Sequence, residues 1–160
     1  MEEILKPAKP VSASRAVISV AMLPQDTNPY GSIHGGVILK NMDQAAGIAA
    51  MRHCRGNVVT AAIDSMSFIA PSLVGELVTF KAGVNHVGRT SLEVGVRVES
   101  EDLLTGEIRH SATAYLTFVA LDAARRPTLA PPLLLETDED RRRNAAAIER
   151  RAMRTRACLP

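Results

Sequence analysis

The chain has 160 residues, enough to form one domain with a substantial buried core. Apolar residues make up 46% of it but aromatic residues only 3%, which argues against extended aromatic platforms for stacked bases. A net charge of +2 is too small to indicate a nucleic-acid partner, and no stretch approaches the roughly 18 consecutive apolar residues of a membrane span.

The N-terminal and cysteine patterns indicate a cellular compartment. The opening stretch, MEEILKPAKPVSASR, lacks the apolar core of a secretory signal. Cys54 and Cys158 lie far apart without metal-like spacing, so we expect two reduced thiols. Both patterns predict a cytoplasmic protein.

The first third of the chain is predicted to run from an arm to a buried helix. Residues 1–13, with two prolines, are expected to form the arm. SRAVISVAMLP then alternates loosely and predicts a strand, which Pro24 ends. After the glycine-rich loop TNPYGSIHGG, the pattern from Gly35 to about His53 predicts a helix that is apolar on most sides and therefore buried.

Four β-rich stretches follow the helix: VVTAAIDSMSFIA, LVTFKAGVNHV, TSLEVGVRVES and EIRHSATAYLTFVAL. The turn-like segments PSLVGE, GR and EDLLTG separate them. This order predicts an α+β fold in which a five-stranded antiparallel sheet wraps around one long central helix. One sheet face and the edge strands would stay uncovered, so we expect a homodimer or a larger homo-oligomer.

The composition changes after Asp122. Residues 123–160 contain a Pro-rich linker and a predicted C-terminal helix rich in arginine. Its acidic residues lie near the start and its arginines further along, which suits the helix dipole. We expect a solvated or subunit-docking helix, with the binding of ligand phosphates by some arginines as the alternative.

Asp43 is the candidate catalytic carboxylate. At three and four positions along the predicted helix its neighbours include the small residues Ala46 and Gly47, and also Lys40. A carboxylate in such surroundings is either one half of a partly buried ion pair with Lys40 or a catalytic group. The spacing leaves both interpretations open.

Gly35 and Gly36 lie where the predicted helix begins. Free N–H groups and the positive end of the dipole can hold an anion or a developing oxyanion there, although glycine also serves simply as a turn residue. Gly35 and Asp43 are eight residues apart, which is roughly 12 Å along a helix. One helix is therefore unsuited to supply both groups to one carbonyl, and we expect an active site shared between two protomers.

Three motifs carry a resemblance to a known family: NxxGxxHGGxxLxxMDxxA, VxxxIDSMxFxxP and VGRTS. Together they make residues 14–122 closely resemble the hotdog-fold acyl-CoA thioesterases, in the branch of cytosolic acyl-CoA hydrolases and their bacterial relatives. The resemblance implies a hotdog domain over this range, whose protomers pair and join their sheets, with three dimers forming a hexamer. The implied reaction, in fatty-acid metabolism, hydrolyses an acyl-CoA thioester to a free fatty acid and CoA.

The resemblance also implies roles for individual residues. Asp43 would act as general base on water or as nucleophile, and Asn28 of the facing protomer would orient the carbonyl or the water. The amide of Gly36 would stabilise the oxyanion. A thiol leaves with a pKa near ~8.5, so no strong general acid, metal or cofactor is needed.

The implied CoA-binding residues form two groups: His34 and Gly35 in the loop, and the VGRTS stretch with Val87, Gly88, Arg89, Thr90 and Ser91. The VGRTS stretch alone would suit a plain hairpin turn, but Arg89 is a suitable phosphate donor. His34 is expected to pack or to cap the helix rather than to carry a proton. Asp64 is expected to accept hydrogen bonds from loop amides.

Two other functions remain open. A hotdog hydratase or dehydratase needs a His paired with an acid across the dimer; Asn28 stands near where that His is expected, and His34 lies nearby. A non-catalytic acyl-CoA-binding protein is the second alternative, against which the intact pair of Asn28 and Asp43 argues. The preferred acyl chain length does not follow from the residues.

Overall fold

The computed structural model describes residues 6–157. Its strands are β1 (Lys9–Pro10), β2 (Ala16–Ala21), β3 (Asn57–Phe68), β4 (Leu77–Val87), β5 (Ser91–Glu101), β6 (Ile108–Leu121) and β7 (Leu133–Leu134). Its helices are α1 (Gly35–Cys54) and α2 (Asp138–Ala157), with short 3₁₀ turns at Val11–Ser14 and Pro24–Asp26. Five strands form one antiparallel sheet in the order β2-β4-β5-β6-β3. The predicted α+β hotdog fold is confirmed.

The helix α1 packs against all five strands of this sheet. Its buried side chains are mostly small, with Ala45, Ala46, Ala49 and Ala50 fully covered. Alanine is the best helix former and lets large side chains from the strands, such as Phe80 and Phe118, approach the helix closely. One nearly all-aliphatic core therefore lies between α1 and the inner face of the sheet.

Alternation along the strands defines the two sheet faces. On β5, Leu92, Val94 and Val96 are buried against α1, whereas Glu93 points to the opposite, outer face. The strands β2 and β3 are the edges of the sheet, as expected for a chain that pairs with another copy. The outer face is not bare, because α2 packs across it through contacts with β4.

Part of the predicted N-terminal arm is packed rather than extended into solvent. The two-residue strand β1 pairs in parallel with β7, which lies in the predicted Pro-rich linker. Val11 and Ser14 in the following 3₁₀ turn are buried. Cys54 is a buried free thiol, whereas Cys158 lies outside the described residues. Neither helix of the described part is long and apolar enough to cross a membrane.

Candidate active site

Asp43 is half-buried on α1, beside the fully buried Met42 and Ala46. Thr60 on β3 donates a hydrogen bond from Oγ1 to Oδ1 of Asp43 at 2.8 Å. Lys40, one turn earlier, is exposed. Asp43 takes part in none of the ion pairs within residues 6–157, so the predicted alternative of a pair with Lys40 is wrong. Thr60 can reach the carboxylate instead because β3 runs alongside α1.

Thr60 was missed by sequence reasoning. Isolated threonines are common in strands, and its position faces the helix only because of how β3 pairs with β6. Thr60 lies opposite Phe118, whose ring belongs to the inner core. A weak signal exists in the sequence, since Val58 and Thr60 share a face of the strand and α1 is the only buried helix predicted to cover that face.

Asn28 is held by the loop that precedes α1. Its Oδ1 accepts a hydrogen bond from the amide of Tyr30 at 2.9 Å, and its Nδ2 donates to Oγ of Ser32 at 2.9 Å. Gly31 adopts φ 86°, a left-handed conformation that glycine allows without steric cost. This Asx-type turn fixes the direction of the Asn28 side chain.

His34 caps the N-terminus of α1. Its Nδ1 accepts a hydrogen bond from the amide of Gly36 at 2.9 Å, so the expected capping role is confirmed. The amide predicted to serve an oxyanion is therefore occupied by the His34 ring in this state. Gly35 allows another close approach, because a Cβ there would lie 3.0 Å from the ring of Phe68.

An open pocket of about 450 Å³ lies at this end of α1. Asn28, Gly35 and Phe68 line it, together with the segment from Ile69 to Ser72. Asp43 does not line this pocket; it lies two turns further along α1 against β3. One chain thus brings Asn28 and Gly35 together but keeps Asp43 apart from them.

The VGRTS stretch forms the tight turn between β4 and β5. The amide of Gly88 donates to the carbonyl of Ser91 at 2.7 Å, which confirms the predicted turn. Thr90 is half-buried and Val87 packs against the core, whereas Arg89 is exposed. The guanidinium of Arg89 is therefore accessible to an anionic ligand.

Arginines in the first half of α2 pair with acidic residues of the same helix. Arg141 binds Asp138, and both Arg142 and Arg143 bind Glu139. These two hydrogen-bonded arginines lower the pKa of the Glu139 carboxyl to about 2. All of these side chains are largely exposed, so the pairs contribute little to stability.

Arginines in the second half of α2 reach the outer sheet face. Arg150 binds the buried Glu93 through both Nε and Nη2, at 3.1 and 2.7 Å. Arg151 lies over the turn at Gly88, where a Cβ would come within 2.1 Å of its Nη1. The helix α2, which we expected to be solvated or to dock on another subunit, therefore packs on the sheet of its own chain.

Asp64 accepts hydrogen bonds from Oγ1 of Thr117 at 2.6 Å and from Nη1 of Arg154 at 2.5 Å. The prediction that it receives loop amides is therefore wrong, because a bulge in β3 turns it to the outer face. Across residues 6–157, no group of three His, Cys, Asp or Glu side chains has the geometry of a metal site.

Comparison with known proteins identifies relatives over most of the chain. Residues 30–107 match the model of the thioesterase superfamily. The uncharacterized acyl-CoA thioester hydrolase YkhA of Bacillus subtilis is 39% identical over 86% of this chain and 80% of its own length. The cytosolic acyl coenzyme A thioester hydrolase of Rattus norvegicus is 32% identical over 89% of this chain but only 38% of its own length.

Solved structures show the same fold. The acyl-CoA hydrolase of Staphylococcus aureus, in complex with butyryl-CoA, CoA and CoA disulfide, matches with a TM-score of 0.88 and 34% identity over 94% of this chain and 92% of that one. An apo-hexameric acyl-CoA thioesterase matches with a TM-score of 0.92 and 39% identity over 97% and 100%. The S. aureus enzyme has also been solved as Asp43→Ala, Thr60→Ala and Asn28→Ala variants, and this chain has the same residue types at those numbers.

Proposed function

The chain belongs to the acyl-CoA thioester hydrolases of the thioesterase superfamily, and on that premise we propose that it hydrolyses acyl-CoA to a fatty acid and CoA with Asp43 as the reacting carboxylate. The observation that carries the proposal is the setting of Asp43. It is half-buried beside apolar residues, pairs with no cation among residues 6–157, and is oriented by Thr60. A carboxylate kept in this state remains available for chemistry.

The reaction needs one bond to form at the thioester carbonyl and the carbon–sulfur bond to break. Asp43 either removes a proton from the attacking water, or attacks the carbonyl itself to form a mixed anhydride that water then hydrolyses. In both routes the CoA sulfur leaves as a thiolate, with a pKa near ~8.5 for its thiol, and takes up a proton afterwards. Transfer of ¹⁸O from labelled water to the Asp43 carboxylate in a single turnover would identify the anhydride route.

The second half of the site is proposed to come from another protomer. Asn28 of the partner subunit would orient the carbonyl or the water next to Asp43, and the Gly36 amide would bind the oxyanion. The separation of Asn28 from Asp43 within one chain supports this arrangement. The oxyanion would have to displace the His34 ring from the Gly36 amide. The ring and the transition state would therefore compete for the same N–H donor.

CoA is proposed to lie along the VGRTS turn and the start of α1. Arg89 would bind a phosphate, since its guanidinium is exposed beside that turn. Val87, Gly88, Thr90 and Ser91 would contact the pantetheine chain, while His34 and Gly35 would approach the thioester. The pocket of about 450 Å³ beside Gly35 would receive the neighbouring part of the substrate.

The assembly is proposed to be a homodimer, three of which form a hexamer, in the cytoplasm. The edge strand β3 exposes Val59 and Ile63, at 47% and 46%, which supports pairing through this strand. A matched solved structure is hexameric, and the matched rat protein is cytosolic. Pairing at β3 would also bring a second chain close to the Asp43 of the first.

Thiol release from acyl-CoAs of increasing chain length tests the proposal. Asp43→Asn should lower kcat by about 100-fold or more, because the amide can neither accept the proton nor attack. The matched control is Asp138→Asn, which changes a fully exposed carboxylate at the start of α2 and should keep wild-type activity. Full activity in folded, oligomeric Asp43→Asn would disprove the mechanism.

The same enzyme should not hydrate an enoyl-CoA. A hydratase would need His34 as a proton carrier, and its Nδ1 is engaged in capping α1. Measuring hydration and thiol release side by side separates the two reactions. Binding of acyl-CoA with neither reaction would instead indicate the non-catalytic alternative.

A further inference from the structure

The strand β3 carries two polar side chains, Thr60 and Asp64, whose hydrogen bonds lie on opposite faces of the sheet. Thr60 and Asp64 are four residues apart and would share a face of a regular strand. The pairing with β6 is interrupted by two bulges, between Thr60 and Ala62 and between Ile63 and Ser65. The first bulge shifts the alternation of side chains, so Thr60 points to Asp43 on the inner face, whereas Asp64, the extra residue of the second bulge, points to α2 on the outer face.

A buried network of hydrogen bonds and one ion pair joins the second bulge to Thr117 on β6 and Arg154 on α2. The side chain of Asp64 is only 6% exposed. Nη1 of Arg154 donates both to Oδ1 of Asp64 at 2.5 Å and to Oγ1 of Thr117 at 2.7 Å. Thr117 in turn donates to Oδ2 of Asp64. A carboxylate this buried depends on its cation, because removing one partner of such a pair leaves an uncompensated charge.

Among the described residues, the bulged part of β3 pairs with another strand on one side only. As the edge strand it pairs with β6 and with no other strand of the described residues. Without the first bulge, the residues beyond it would turn to the other face, and Asp64 would point to α1. The contact from α2 to Asp64 therefore requires the bulged register.

We propose that Arg154 is a positioning residue for the hydrolysis: by holding Asp64 at the second bulge, it keeps β3 in the register that directs Thr60 to Asp43. This inference rests on the proposed function of Asp43. It assigns the arginine-rich C-terminal helix a part in the reaction without contact to the substrate. The coupling runs from Arg154 through Asp64 and four residues of strand to Thr60.

A double-mutant cycle on kcat tests the coupling. Arg154→Met should lower kcat by about tenfold to a hundredfold with KM changed less than about twofold, the loss that one hydrogen bond to a charged group explains. Because Arg154 acts through Thr60, adding Arg154→Met to Thr60→Ala should cause no further loss. Arg141→Met, which removes an exposed arginine of the same helix, should leave kcat unchanged.

Two kinetic results would overturn the inference. One is wild-type kcat in Arg154→Met; the other is a double variant whose loss equals the product of the two single losses, which would mean independent effects. Arg154→Lys serves as the conservative variant and should restore most of kcat, since an ammonium group also neutralises Asp64. If Arg154→Met does not fold, adding Asp64→Asn removes the uncompensated charge; the double variant should still show the lowered kcat, and wild-type kcat in it would overturn the inference.

A structural readout separates this inference from the proposed function. In threonine methyl-labelled protein, the NMR resonance of the Thr60 methyl group should shift in Arg154→Met and stay in place in Arg141→Met. If the wild type releases no thiol from any acyl-CoA, the proposed function fails while this resonance still decides whether Arg154 controls Thr60. An unchanged Thr60 resonance in Arg154→Met would overturn the coupling whatever the activity.

Discussion

The carboxylates on the two faces of the sheet differ in their partners. On the inner face, Asp43 receives one hydroxyl from Thr60 and no cation from the described residues. On the outer face, the more deeply buried Asp64 and Glu93 each bind an arginine of α2. A single strand, β3, contributes to both arrangements.

This difference supports the proposed division between Asp43 as the reacting carboxylate and Asp64 and Glu93 as structural ones. A buried ion pair is satisfied and chemically quiet, and breaking it by removing one partner is costly. A half-buried carboxylate with one neutral donor keeps an oxygen available, as the proposed role of Asp43 in either route requires. The comparison therefore predicts that outer-face substitutions change mainly stability, except where they act on Thr60.

The largest expected effect on stability comes from the Arg150–Glu93 pair. Arg150→Met would leave Glu93, which is 5% exposed, without its bidentate partner and remove the guanidinium that lies 3.6 Å from the ring centre of Tyr115. We expect the free energy of unfolding to fall by about 3–5 kcal/mol. Urea unfolding followed by circular dichroism measures it.

Two variants sharpen this result. Arg142→Met removes an arginine of the same helix from an exposed pair and should leave the free energy of unfolding nearly unchanged. Adding Glu93→Gln to Arg150→Met should recover most of the loss, because the uncompensated charge disappears. Equal losses in Arg150→Met and Arg142→Met would contradict the division between buried and exposed pairs.

The sequence predicts the elements well and their cross-strand contacts poorly. Apolar periodicity identifies α1 and the four following strands, and the helix rich in small residues identifies Asp43 as unusual. The partner of Asp43 is not predictable in the same way, because Thr60 lies on another element and the pairing of β3 with β6 decides which of its residues lies beside Asp43; the face on which Asp64 lies depends further on a bulge. Bulges leave little local sequence signal, since they arise from pairing with a distant strand.

The ion pairs of α2 also show that local contacts are predictable from sequence and long-range contacts are not. Charge patterning along the helix predicts its internal pairs, because Glu139 and Arg143 are four residues apart. It does not predict that Arg154 reaches a carboxylate ninety residues away. Such a contact depends on the path of the linker, which pairs with β1 through β7 and so sets where α2 packs on the sheet.

A smaller effect is expected from His53, which is fully buried near the C-terminal end of α1. Burial lowers the pKa of this fully covered imidazole, the nearby Lys9 adds to the effect, and the hydrogen bond to the carbonyl of Pro131 opposes it. Nδ1 has no partner among the described residues, so protonation would bury an unsatisfied donor.

The sign of the pH dependence follows from this lowered pKa. The folded state holds His53 neutral while the unfolded chain takes up a proton below about pH 6.5, so stability is present above that pH and falls below it. Between about pH 6.5 and 5.5 the wild type should lose up to about 1 kcal/mol more than His53→Gln, which keeps a donor for Pro131. Parallel pH curves for the two proteins would show that His53 does not titrate with folding.

The smallest effect is expected at Glu99, a paired carboxylate near the solvent on the outer face. Hydrogen bonds from Lys81 and Arg97 lower its pKa, and both partners are about half exposed. Because the pKa is lowered in the folded state, the stabilisation is present above about pH 4.5 and is lost as the pH falls through the folded value. Glu99→Gln should therefore cost less than about 1 kcal/mol at pH 7, and the cost should shrink in about 1 M salt. Urea unfolding at pH 7 and pH 3, at low and high salt, measures both dependences. A loss as large as that of Arg150→Met would mean that burial is not what distinguishes the ion pairs of this face, and the contrast with Asp43 would then rest on its missing cation alone.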